Sequence, residues 1–132
     1  MNDSSAAALL APLADEQRVL LRTRKRDGTW VPTPVHLAVE GDHAFFRTYH
    51  TSGKAKRLRN FPDVEVAPCD ARGRPTGPVL HARATLLSGD RDRHARTLIE
   101  GKHPILQRLG VRTIHRLRGQ TTQHYEVTEI HA

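Results

Sequence analysis

The sequence predicts a mainly β protein, a small β-barrel with helical insertions, and three features carry that prediction. The turn dipeptides Asp27-Gly28 and Gly41-Asp42 separate three β-rich runs, VLLRTRK, TWVPTPVHLAVE and HAFFRT, as in an antiparallel meander. A second pair of runs, DVEVAPCD and VLHARATLLSG, is joined by the Gly/Pro-rich ARGRPTGP and reads as another hairpin. Beyond residue 18, helical character is confined to two insertions. Hairpins are closed to parallel strands, so a βαβ sheet is disfavoured. At 132 residues the chain is read as one domain, 1–132.

Taken in order, residues 4–17 are rich in alanine and leucine and predict a short helix that Pro12 interrupts, with residues 1–18 serving as a packing arm. In the second β run, Val31, Thr33, Val35, Leu37 and Val39 alternate with Pro32, Pro34, His36, Ala38 and Glu40, so one face is apolar. The prolines cannot donate to a ladder, which makes this strand an edge, a bulge, or a strand whose free side meets a ligand. In HTSGKAKRLRNFP, Thr51 and Ser52 are cap residues and Asn60 with Pro62 closes a helix of about two turns. Asp90 opens a polar helix that Gly101 ends, and a shorter helical piece is expected from His103 to Leu109. In the closing strand, Tyr125, Val127 and Glu129 are expected to alternate with Glu126, Thr128 and Ile130.

Hydrophobic residues make 37% of the chain and charged ones 27%, enough for a modest core and against disorder throughout. With no apolar run of about 18 residues and no basic, apolar leader, a soluble cytoplasmic protein is expected and a membrane partner is not. The net charge of +7 is uneven: residues 19–62 hold nine basic against three acidic groups. Such a balance suits nucleic acid or a polyanionic small molecule. Nucleic acid is the weaker reading, because the aromatics Trp30, Phe45, Phe46, Tyr49 and Phe61 near the basic segment form no recognisable RNA- or DNA-binding signature.

The richest chemistry lies in TYHTSGKAKRLR. Ser52, Gly53 and Lys54 stand at a helix start, whose N–H groups and positive dipole end suit a phosphate. Lys54 and Arg57 share one face while Lys56 and Arg59 share the next, so the cluster can hold a phosphate and further negative charge. A solvated basic helix that binds nothing is the competing reading. It is no P-loop, since GxxxxGK[ST] is absent. The nine histidines show no HxH, HxxxH or HExxH spacing, and no metal is expected. Cys69 reads as a small buried residue on a strand, without a partner for a disulfide or a base to activate it. No catalytic residue is assigned; His36, on the proline-bearing face, is the candidate, with His50 the other histidine that could give a proton. An enzyme built from these residues would borrow its reactivity from a cofactor.

Three motifs occur in order: the strand TPV, the helix segment TSGKAKRLRNFP, and the hairpin VAPCDARGRPTGP. Together they resemble the split β-barrel flavin/deazaflavin oxidoreductases of the pyridoxamine 5′-phosphate oxidase-like superfamily, and within it the actinobacterial branch that uses the deazaflavin coenzyme F420. The likeness covers about Val19 to Gly89. It implies an FMN-binding-like split barrel, a homodimer with a cofactor in each of two grooves between protomers, and hydride transfer between reduced F420 and a small organic substrate. It implies that Thr33, Pro34, Val35 and His36 lie along the tricyclic ring, and that Arg47, Thr48, Ser52, Gly53, Lys54 and Arg57 hold the phosphate. The polyglutamate tail of F420 would give Lys56 and Arg59 a partner that FMN lacks. Members usually carry an aromatic residue where this chain has His36. FMN is the alternative cofactor, and a non-catalytic F420, FMN or haem carrier or sensor is the alternative function.

Overall fold

A computed structural model describes residues 3–102 and 122–132. The helical piece expected at 103–109 lies outside the described residues. Helix α1, Asp3–Leu10, runs into a single 3-10 turn at Ala11–Leu13, where Pro12 is tolerated because the first-turn N–H has no helical partner. Leu10 and Leu13 are buried, so the arm packs on the sheet.

Seven strands follow: β1 Val19–Arg24, β2 Trp30–Val35, β3 Leu37–Glu40, β4 His43–Tyr49, β5 Asp63–Pro68, β6 Leu80–Leu86 and β7 Thr122–His131. Helix α2, Gly53–Asn60, follows β4, and α3, Gly89–Lys102, follows β6. All strand pairs are antiparallel, in the order β2-β1-β5-β6-β7-β4-β3.

The run from Trp30 to Glu40, expected as one strand, changes partner at His36. Its first half pairs with β1, Val35 opposite Val19, and its second half pairs with β4, Leu37 opposite Phe46. The two ends of the sheet are therefore one residue apart in the chain, and the sheet must curl to bring the end of β2 and the start of β3 together at His36, without a ladder between them. Alternation continues through the break: Val35 and Leu37 are buried in the main core and Val39 packs against it, while Ala38 belongs to a second cluster on the other face. Pro32 and Pro34 sit on an edge strand, where a missing N–H costs no ladder bond.

Inside the curl, Val19, Leu21, Val64, Val66, Phe46, Tyr125 and Val127 pack with Leu58 of α2. Phe46 and Tyr125, directly opposite across β4 and β7, stack with ring centroids 5.1 Å apart. On the outer face, Phe45 and Ala38 meet Ala95 and Ile99 of α3. The closing strand departs from the expected alternation. A register shift and a left-handed residue at Glu129, φ 55°, form a bulge that turns Ile130 into the core and leaves Glu129 exposed. Cys69 lies just past β5 in a bridge to Pro75 and is half-buried rather than buried. Its thiol donates to the Arg18 carbonyl at 3.7 Å, and burial raises its pKa, which disfavours the thiolate.

Candidate anion-binding cleft

The start of α2 is built as the serine and glycine in its sequence require. Ser52 has extended backbone angles and its Oγ accepts from Ala55 N–H at 3.1 Å, a normal N-cap. Thr48 on β4 is 7% exposed, and its hydroxyl meets Ser52 Oγ at 2.9 Å, tying the cap to the sheet. Gly53 is the first helical residue, and its missing side chain is occupied by another group. A Cβ there would come 2.8 Å from Arg57 Nη1. Helical side chains lean towards the N-terminus, so Arg57, near the end of α2, still brings its guanidinium back to the first turn. Arg57 Nε donates to the hydroxyl of the fully buried Thr23 on β1 at 2.6 Å, which fixes that orientation.

Beside this arginine lies a cleft of about 390 Å³ lined by Arg24, Lys25, Arg26, Gly53, Lys56, Arg57 and Asn60. Five of these seven residues are cationic and none is acidic. Arg24 is held by two rings, its guanidinium carbon lying 5.8 Å from the centroid of Trp30 and 5.7 Å from that of Phe61. Lys25 bonds through its backbone to Thr29 and Gly28, closing the β1–β2 hairpin. The hairpin thus carries three basic side chains to the helix start. These were missed as site residues in the sequence. Their signal was the RKR run before Asp27-Gly28, which becomes local to α2 only when β1 packs against it.

The other expected residues are distributed on both faces of the sheet. Lys54 is half-buried, and burial together with Arg57 lowers its pKa. Arg59 reaches back to the His50 carbonyl at 3.4 Å. Thr33 and Val35 share the inner face with Leu21 and Val19, opposite them in register. Pro34 and His36 point to the other face, where an added Cβ at Gly73 of the β5–β6 loop would touch Pro34 Cγ at 3.7 Å. His36 Nδ1 lies 3.2 Å from the Gln17 carbonyl, and burial lowers its pKa. Arg47 precedes Thr48 on β4 and so faces the opposite way, towards α3, where it pairs with Glu100 at 3.6 Å. Burial lowers its pKa, with Glu100 opposing. Arg47 is thereby separated from Ser52, Gly53 and Arg57, which the fold does bring together.

Behind Arg47, His124 is 1% exposed and its Nδ1 lies 2.8 Å from Asp92 of α3. Its Nε2 is buried with no hydrogen-bond partner among the described residues. Among the described residues, no three His, Cys, Asp or Glu side chains converge as a metal cage, and no helix is long and apolar enough to cross a membrane.

No family model matches the chain, and no curated protein matches it in sequence. Solved structures match it in shape. A protein proposed to be a pyridoxamine 5′-phosphate oxidase from Listeria innocua aligns over 96% of both chains at 15% identity, TM-score 0.58. An F420-H2-dependent reductase aligns over 84% of this chain and 93% of its own at 16% identity, TM-score 0.61. A haem storage protein from Vibrio cholerae aligns over 86% of this chain and 81% of its own at 14% identity, TM-score 0.58. Identities this low establish fold and not activity. The curled antiparallel sheet and its matches give the chain the split β-barrel fold of the pyridoxamine 5′-phosphate oxidase-like proteins.

Proposed function

We propose that the chain is an oxidoreductase that binds the deazaflavin coenzyme F420 in preference to FMN, with its phosphate at the start of α2, and that it acts as a homodimer of split barrels on a small organic substrate. The observation that carries this reading is the cleft beside Arg57, with five cations and no carboxylate in its lining. A single phosphate needs fewer partners than that. A ligand with a phosphate and a chain of carboxylates uses Arg57 and Lys56 at one end and the Arg24–Arg26 hairpin along its length.

The donor set fits such a ligand. The Ser52 cap leaves first-turn N–H groups directed out of the helix, and Arg57 is oriented before anything binds. Along β2, the free edge offers backbone groups to the polar rim of a ring system, with Thr33 on one face and Pro34 on the other. The prolines keep a further strand from adding there, which reserves the edge for a small molecule. When bound, the deazaflavin supplies a ring carbon that gives or takes a hydride. The chain orients the ring, and the imidazole of His36, held neutral by its burial at neutral pH, stands as the proposed site of proton exchange. Two of the structural matches carry F420 in their names and two carry haem, which supports a cofactor role for the fold and leaves the choice to the residues.

Titration of the apo chain with F420, FMN and haem tests the reading. F420 is expected to bind more tightly than FMN, with the preference shrinking on Lys56→Ala and as salt rises. Turnover of reduced F420 with unsaturated acceptors then separates enzyme from carrier. Haem binding with no response to F420 would move the chain to the carrier reading.

A further inference from the structure

The outer face of β5, β6 and β7 carries a second arrangement of titratable groups, with a different donor set from the α2 cleft although Arg24 lines both. His81 on β6 and His131 on β7 are directly opposite, and their rings stack at 5.4 Å between centroids with 26° between planes. This pairing exists because of the bulge. The register that sets Arg83 against Thr128 would place Ile130 opposite His81 in a regular ladder. The extra residue shifts His131 there instead. Glu129, at the bulge, is the single non-glycine residue with positive φ among the described residues. Bulges that re-aim side chains and residues held in this region concentrate at functional positions.

From this geometry we infer that His81 and His131 form a two-imidazole site for a late first-row divalent cation, zinc or copper. Each ring's polar contact among the described residues is through Nδ1. His131 Nδ1 meets the Glu129 carbonyl at 3.0 Å, and His81 Nδ1 lies 3.6 Å from Glu65 Oε2. Both Nε2 atoms are left for a metal. Metal–imidazole bonds of about 2.0–2.1 Å to both Nε2 atoms would hold the two ring centroids at a separation near the one observed. Glu65, with its side chain 12% exposed, stands behind His81 as the carboxylate that commonly orients a ligating imidazole. Asp63 and Glu129 line the same cleft of about 370 Å³, and water fills the remaining coordination positions. Two of the nearby cations are paired with carboxylates, Arg22 with Glu65 at 3.1 Å and Arg83 with Glu129 at 3.9 Å, while Arg24 keeps its charge and is held over Trp30 and Phe61. Fifty residues separate the histidines in sequence, so no short motif announces the pair.

The test is zinc titration of the full chain by calorimetry at neutral pH, with copper followed by electron paramagnetic resonance. One zinc per chain is expected, with copper tighter, as the order of divalent affinities requires. His81→Ala and His131→Ala each weaken zinc binding at least tenfold, Glu65→Gln weakens it less, and His94→Ala leaves it unchanged. Zinc also raises the melting temperature of the unaltered chain, because it joins β6 to β7. The copper spectrum shows two equivalent nitrogens. Should a variant fail to fold, selective zinc-induced shifts of the His81 and His131 ring resonances in the unaltered chain decide the matter. Absence of zinc uptake, or uptake that survives both histidine substitutions, overturns the site.

Discussion

Arg57 is the cation whose position the fold controls most closely, and that control comes from two residues that carry no charge. Thr23 accepts its Nε–H, and Gly53 leaves the volume in which its guanidinium lies. Replacing Thr23 with valine keeps shape and burial but removes the acceptor, so stability falls by about 1 kcal/mol or less while the arginine loses its fixed direction. The expected result is weaker binding of the phosphate-bearing ligand with little change in denaturant midpoint, and Gly53→Ala produces the same pattern by displacing the guanidinium. Anion titration beside chemical denaturation reads both quantities, and equal affinity in all three proteins would dissociate Arg57's orientation from binding. At this scale the sequence was partly legible. Ser52 as cap and Arg57 beside the helix start follow from local spacing, whereas Thr23 lies 34 residues away and is brought to Arg57 only by the packing of β1 on α2.

Elements were legible where a local signal defines them and obscure where a distant partner does. The bounds of α2 follow from Ser52 and from Asn60 with Pro62, because caps and breakers act within a few residues. The exchange of partner at His36 leaves the two-residue period intact, so periodicity alone cannot reveal it. The bulge at Glu129 depends on the register of β6, which the sequence of β7 does not contain. Helix α3 has the opposite problem: its surface is strongly charged, and the apolar part of its attachment is Ala95 and Ile99 meeting Ala38 and Phe45. Ile99 is fully buried, so Ile99→Ala costs about 2–5 kcal/mol through lost apolar contact and the cavity left behind. The loss is expected to concentrate in α3 and the β3–β4 hairpin. Hydrogen exchange would show protection falling there before it falls in β1 and β5, and a uniform loss would mean that α3 and the barrel unfold as one unit.

The stability of the whole molecule depends on pH through groups that join α3 to the barrel. Glu40 of β3 lies 2.9 Å from both His94 Nε2 on α3 and His43 Nε2 on β4, and Asp42 lies 2.8 Å from His43 Nδ1. Arg91 of α3 and Glu126 of β7, themselves paired at 2.7 Å, complete the charged surroundings of Phe45. His94 and then His43 lower the Glu40 pKa from its ordinary 4.5. Burial alone would lower that of His43, but Asp42 and Glu40 outweigh it and raise the value above 6.5. A raised histidine stabilises the fold fully below its unfolded pKa and ceases to do so as pH rises through the folded value. A depressed carboxylate stabilises fully above its unfolded pKa and ceases to do so as pH falls through the folded value. Both contributions are complete only between pH 4.5 and 6.5. His124 works against them on the acid side: burial lowers its pKa, so its contribution is complete above 6.5 and declines as pH falls through its folded value. The loss of the His43 contribution therefore falls on the alkaline limb. Melting the unaltered chain and His43→Gln across this range should show a wide gap near pH 6 that narrows by pH 8.5, and a gap of constant width would mean that His43 contributes packing against Phe45 and no charge.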